Sequence, residues 1–254
     1  MEDVAALAQL QARAAAEGRD VQPSRMHMLF TGNPGTGKTM SAKAIGDMFY
    51  HLGLVPNPGV HEVKGVSELK GTHAGDAAAL TSRMLQDNKG SVIFIDEAQQ
   101  LLTDSDTDRF GKEVIGEIIR FTGQPENNDT VIILAGYGDN AAGGPSIKSL
   151  AKFDPGFASR FPNEVRFRDF TPGERAAIME NMVSEGPFAF ADEKAREAAI
   201  RLAADVQRSG NARGVENQLN EARRRMARRL QRTPDAPMEL KAEDFETIRK
   251  MLGL

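Results

Sequence analysis

The chain has 254 residues, 40% hydrophobic and 27% charged, with a net charge of -4 and no cysteine. That excludes disulfides and thiolate metal sites, gives no electrostatic case for broad nucleic-acid or membrane-surface affinity, and suits one sizeable domain or a large and a small one. No apolar stretch approaches the ~20 residues of a membrane span, and Met1-Glu2-Asp3-Val4 carries acids where a secretory leader carries bases. The expectation is a cytoplasmic protein with no membrane insertion.

Taken in chain order, residues 2–17 are alanine-rich and predict a helix ended by Gly18, with a polar connection over 19–25. Met26 to Thr31 is a short apolar run of the kind a buried strand shows. Gly32-Asn33-Pro34-Gly35-Thr36-Gly37-Lys38-Thr39 follows, and Met40 to Phe49 has helical spacing. Strand, glycine loop and helix, with the pattern G-x-x-x-x-G-K-[ST], form a phosphate-binding loop. Its glycines let the backbone fold around an anion and aim N–H groups at it. Lys38 reaches the β- and γ-phosphates, the Thr39 hydroxyl ligates Mg²⁺, and the helix directs its positive end at the ligand. The candidate nucleotide contacts are therefore Gly32, Asn33, Pro34, Gly35, Thr36, Gly37, Lys38, Thr39 and Met40.

Val60 to Val63 predicts a second strand and residues 76–88 a helix. Val92 to Ile95 is apolar throughout and ends in Asp96 and Glu97. In open α/β sheets ligands sit at the carboxyl ends of strands. Asp96 is thus a candidate for holding Mg²⁺, and Glu97 for orienting and deprotonating an attacking water. An acidic loop at 104–108, a helix over 110–121, a buried strand over 130–135, a Gly/Ala/Asn-rich loop over 138–146 and a short strand at 165–167 follow.

After Phe170 the pattern becomes helical only, over roughly 172–185, 191–208, 211–231 and 242–252. Thr171, Pro172 and Glu174 mark the first start. Alternating strands and helices followed by helices alone predict a parallel five-stranded sheet flanked by helices, then a small all-helical lid. The expected division is 1–25 helix and linker, 26–170 nucleotide-binding domain, 171–254 lid. The arginine run at 223–229 reads as a solvated lid face or a subunit contact, without the aromatic residues that base stacking needs. Nucleic acid is not an expected partner.

These segments resemble the AAA+ P-loop ATPases, and within them the CbbX/SpoVK/EccA group. The likeness is carried by His27 to Thr39, Phe94 to Ala98, Ile133 to Tyr137, Pro155 to Phe161 and Asn211-Ala212-Arg213, and extends over about residues 20–250. It implies ATP and Mg²⁺ as ligands, hydrolysis of ATP, and a homo-oligomeric, hexameric ring. It implies an arginine-finger role for Arg160, reaching the nucleotide of the neighbouring subunit, and a phosphate-sensing role from the lid for Arg213. His73 stands where the group carries an aromatic pore residue, the first sensor falls near Gly136-Tyr137, Glu216 replaces a second arginine, and residues 137–154 resemble an inserted surface loop. The implied function is remodelling of a protein client by ATP turnover, as in Rubisco activases or type VII secretion ATPases. The alternative is a nucleotide-gated assembly or binding module with little turnover. The client's identity is not legible in the residues.

Overall fold

The computed structural model describes residues 2–19, 26–65, 67–70, 76–101, 109–138, 146–152, 156–205 and 210–253. Contacts divide the chain into two units: Met1–Gly32 with Lys38–Phe167, and Asn33–Gly37 with Arg168–Leu254.

The first unit carries a sheet of β1 (Met28–Gly32), β2 (Val60–Val63), β3 (Val92–Ile95), β4 (Val131–Gly136) and β5 (Asn163–Phe167), in the order β2-β3-β4-β1-β5. Every pairing is parallel. The helices here are α1 (Glu2–Ala16), α2 (Lys38–His51), α3 (Ser67–Lys70), α4 (Asp76–Asp87), α5 (Arg109–Thr122) and α6 (Gly156–Arg160). Successive strand residues face opposite sides, so the central strands feed two cores. Met28, Phe30, Val92, Phe94 and Ile133 pack with Ile45 and Phe49 of α2. Leu29, Ile93, Ile95, Ile132 and Leu134 pack with Leu85 of α4 and with Val114, Ile118 and Phe121 of α5. Burial on both faces is the reason β1, β3 and β4 read as unbroken apolar runs.

Several elements depart from expectation. β5 begins two residues earlier than its apolar alternation, because polar Asn163 and Glu164 pair with Met28 and Leu29. The Asn163 side-chain amide donates to the His27 carbonyl, 3.1 Å. Within the stretch expected to be an inserted surface loop, Ile147–Lys152 is a 3₁₀ helix whose Ile147 and Leu150 are fully buried. That part is core, and the two apolar side chains seat it. The one-turn elements α3, α6, Ala98–Leu101 and Pro125–Asn127 are too short to show periodicity.

The second unit contains α7 (Pro172–Ser184), α8 (Glu193–Ala204), α9 (Asn211–Arg232) and α10 (Ala242–Met251). Met179, Leu202, Val215, Leu219 and Phe245 form its core. The Thr171 hydroxyl accepts from the Glu174 N–H and the Glu174 carboxylate accepts from the Thr171 N–H, a capping box that starts α7. Arg168 grips the same carboxylate with both nitrogens, 2.7 and 2.6 Å. The Arg168 bonds, then those from Thr171, hold the Glu174 carboxyl down to about 2, from an ordinary 4.5. Arg175 is buried, and among the described residues no carboxylate pairs with it. Its guanidinium donates to the Ala203 and Ala204 carbonyls, 3.2 and 2.6 Å, and to that of Phe170. A cation thus sits on the negative end of α8.

Replacing Arg175 by Met strands those buried acceptors and is expected to cost about 3 kcal/mol of stability, with Arg175→Lys recovering part, as read by urea denaturation. The Glu174 contribution has a definite sign. Its carboxyl is depressed on folding, so the stabilisation is complete above pH 4.5 and drains as pH falls toward about 2. The gap in melting temperature between the wild type and Glu174→Gln is expected to close across that interval.

Candidate nucleotide site

β1 ends at Gly32, whose register partner across β5 is Phe167. A Cβ at Gly32 would lie 2.4 Å from the Phe167 carbonyl oxygen and 2.7 Å from its Cβ. Gly32 is therefore required by strand packing as well as by the turn. Gly35 and Gly37 take left-handed φ values of 73° and 95°. A Cβ at Gly35 would also come within 2.9 Å of the Arg213 backbone nitrogen. Thr36 is buried, and its hydroxyl donates to the Asn33 carbonyl, 2.8 Å, closing the turn. Lys38 opens α2, and its ammonium donates to the Gly32 carbonyl, 2.8 Å. Thr39 is partly exposed and Met40 is 79% exposed in the first turn of that helix.

Asp96 and Glu97 leave the end of β3. The Asp96 N–H still donates to the Val63 carbonyl, 3.1 Å, and one Asp96 carboxylate oxygen accepts from the Glu97 N–H, 2.8 Å. Glu97 has a φ of 53°, unusual for a residue with a side chain. This bend turns Glu97 off the strand line and into solvent, where it accepts from the Gln100 side-chain amide. Gln100 was not legible as a site residue, although it stands three residues on, where a 3₁₀ turn stacks side chains.

β4 lies between β1 and β3, so their ends are two strand spacings, about 10 Å, apart. Leu29 and Ile95 share Leu134 as register partner, so Gly32 and Asp96 occupy the same carboxyl edge. Gly32, Lys38, Thr39, Asp96 and Glu97 are thereby brought to one edge of the sheet. Among the described residues no group of three or more imidazole or carboxylate ligands occurs. A divalent ion here would take its other ligands from phosphate and water, which suits Mg²⁺ and the hard oxygens of Thr39 and Asp96.

Arg160 is elsewhere. It ends α6, three residues before Asn163, which pairs with Met28 at the amino edge of the sheet. Stacked Phe157 and Phe161, 4.8 Å apart, seat the turn in the core. The guanidinium lies against Gly123, where a Cβ would be 2.9 Å from one of its nitrogens, and its Nε is buried without an acceptor among the described residues. Arg213 is exposed in the first turn of α9, beside Gly35. At the end of β4, where the first sensor is expected, stand Gly136 and Tyr137, with the buried Gln99 amide oxygen beneath Gly136 and, among the described residues, without a donor. Glu216 is exposed. His73 and the acidic run 104–108 lie outside the described residues.

This sheet order and edge belong to a P-loop NTPase. The family model for "ATPase family associated with various cellular activities (AAA)" matches residues 28–166, and that for the AAA lid domain matches residues 171–252. The chain is a member of the AAA ATPase family, within the CbbX group, and an ATPase. It is 36% identical over 211 residues to the chloroplastic ribulose bisphosphate carboxylase/oxygenase activase of Cyanidioschyzon merolae, covering 82% of this chain and 69% of that one. It is 35% identical over 230 residues to the chromosomal protein CbxX of Cupriavidus necator, covering 90% and 70%. With protein CbbX of Cereibacter sphaeroides it shares 32% identity over 238 residues, covering 90% and 74%. Among solved structures, the AAA domain of FIGL-1 in complex with ADP superposes with a TM-score of 0.61 at 19% identity, covering 91% of this chain and 72% of that one, a likeness of fold.

Gly32→Ala would push Phe167 and with it β5 away from β1, at a cost of about 2 kcal/mol. The expected result is a lower melting temperature together with weakened binding of a fluorescent ATP analogue, read in the same sample series.

Proposed function

We propose that this chain is a protein-remodelling motor: a ring, hexameric as in the implied group, in which hydrolysis of ATP at one copy is completed by the next and used to distort a protein client. The observation that carries the reading is the placement of Arg160. It sits at the amino edge of the parallel sheet, whereas Gly32 and Asp96 lie at the carboxyl edge. β5 alone separates these edges by about 13 Å of extended chain. An arginine so placed has no route to its own chain's phosphates and is well placed to serve a neighbour's.

In this reading the backbone of residues 32–37 and the Lys38 ammonium bind and orient the triphosphate. Thr39 and Asp96 hold Mg²⁺, which neutralises phosphate charge when bound. Glu97, turned outward and steadied by Gln100, orients the attacking water and takes its proton. The neighbour's Arg160 stabilises charge that develops on the γ-phosphoryl oxygens, for which a planar, permanently charged guanidinium is suited. Arg213, adjoining Gly35, reports the state of the phosphates to the helical unit. No described helix is long and apolar enough to cross a membrane. The names of the relatives make Rubisco the first client to test.

Turnover per chain is expected to rise with protein concentration as rings assemble. Arg160→Ala should lower it by about 10³-fold or more while ATP binding persists. Mixing Arg160→Ala, which keeps its phosphate loop, with Lys38→Ala, which keeps its finger, should restore part of the rate. Failure of the mixture, with concentration-independent turnover, would sink the ring. A wild-type rate no greater than that of Glu97→Gln would instead favour the gated module.

A further inference from the structure

Residues 33–37 make their contacts with the helical unit, and the bonds responsible are specific. Asn211, the first residue of α9, is fully buried and has a left-handed φ of 44°. Its side-chain NH₂ donates to the Pro34 carbonyl, 3.2 Å, and to the Asp169 carboxylate, 2.8 Å. Its side-chain oxygen accepts from the Phe170 N–H, 2.9 Å. The same Asp169 oxygen accepts from the Asn33 side chain, 2.9 Å. One residue along α9, the Ala212 N–H donates to the Gly35 carbonyl, 3.0 Å.

These bonds fix more than position. In a trans peptide the C=O and the following N–H point in opposite directions. With the Pro34 carbonyl drawn toward Asn211 and the Gly35 carbonyl toward Ala212, the N–H groups of Gly35 and Thr36 are turned the other way. Those are donors that a phosphate loop must present together. The geometry points to Asp169 as a positioning residue for nucleotide binding. As common acceptor for Asn33 and Asn211, it holds the loop with its N–H groups already aimed, so that binding pays no reorientation. Asn211 is suited to its place for two reasons: it tolerates the left-handed backbone, and its amide satisfies three partners that glycine would leave open.

The inference rests on the nucleotide-binding reading of the loop, and its test separates the two. Fluorescent ATP-analogue affinity, steady-state turnover and ligand-free melting temperature are measured on the full chain. The panel is wild type, Asp169→Ala, Asp169→Asn, Asn33→Ala, the Asp169→Ala/Asn33→Ala pair, and Lys38→Ala. Asp169→Ala is expected to weaken binding about tenfold, equivalent to about 1.4 kcal/mol, raising KM much more than it lowers kcat. Asp169→Asn keeps an oxygen that can accept both bonds and should bind within about twofold of wild type. Asn33→Ala added to Asp169→Ala should cost less than the sum of the two, because both break one bridge. Unchanged affinity in Asp169→Ala, equal weakening by Asp169→Asn, additive losses, or weakening matched by a collapse in ligand-free melting temperature would each overturn the inference. Wild-type affinity no better than that of Lys38→Ala would overturn the underlying site instead.

Discussion

The parallel pairing of β1 with β4 on one side and β5 on the other is the constraint from which the chemistry follows. Parallel register leaves no freedom over which strand ends share an edge. Once Leu29 and Ile95 both stand opposite Leu134, Gly32 and Asp96 must lie at one edge, whatever the intervening chain does. Once Met28 stands opposite Asn163, Arg160 must lie at the other. The apolar runs enforce that register from both faces, because a slip of one residue would exchange the two cores. Packing among apolar side chains thus decides which of the candidate residues share an edge of the sheet.

The site also holds its strain where it is useful. Glu97 and Asn211 are the non-glycine residues with positive φ among the described residues. Each cost is of order 1 kcal/mol and needs local compensation. For Glu97 the compensation is its own N–H held by Asp96 and its carboxylate held by Gln100. For Asn211 it is burial with a fully occupied amide. In both cases the result is orientation: a carboxylate turned out of the strand, and a side-chain amide turned onto the Pro34 carbonyl and the Asp169 carboxylate.

How much of this was legible depended on the range of the interaction. The phosphate loop, the paired acids after β3, the five strands and the four helices of the second unit are local patterns, written in glycine spacing, apolar period and capping residues. Ile147 and Leu150 were missed because a six-residue 3₁₀ segment has no period to detect, and their burial depends on side chains far away in sequence. β5's start was missed because Asn163 earns its strand position through a bond to His27, 136 residues earlier. Gly32 reads as a turn residue, but its tightest constraint is the carbonyl of Phe167 in another strand. Asp169 carries no local signal at all, since its partners lie 136 and 42 residues away.

The covalent order of the chain and the order of its contacts disagree at residues 33–37. Family boundaries place them inside the segment 28–166, whereas their packing belongs with residues 168–254. A fragment cut after β5 would keep every residue of the phosphate-loop motif. It would leave the Pro34 and Gly35 carbonyls to water in place of Asn211 and Ala212. The motif is thus portable as text but not as an object: its shape is on loan from a helix that begins 172 residues after the loop's last glycine-lysine-threonine step, at Asn211.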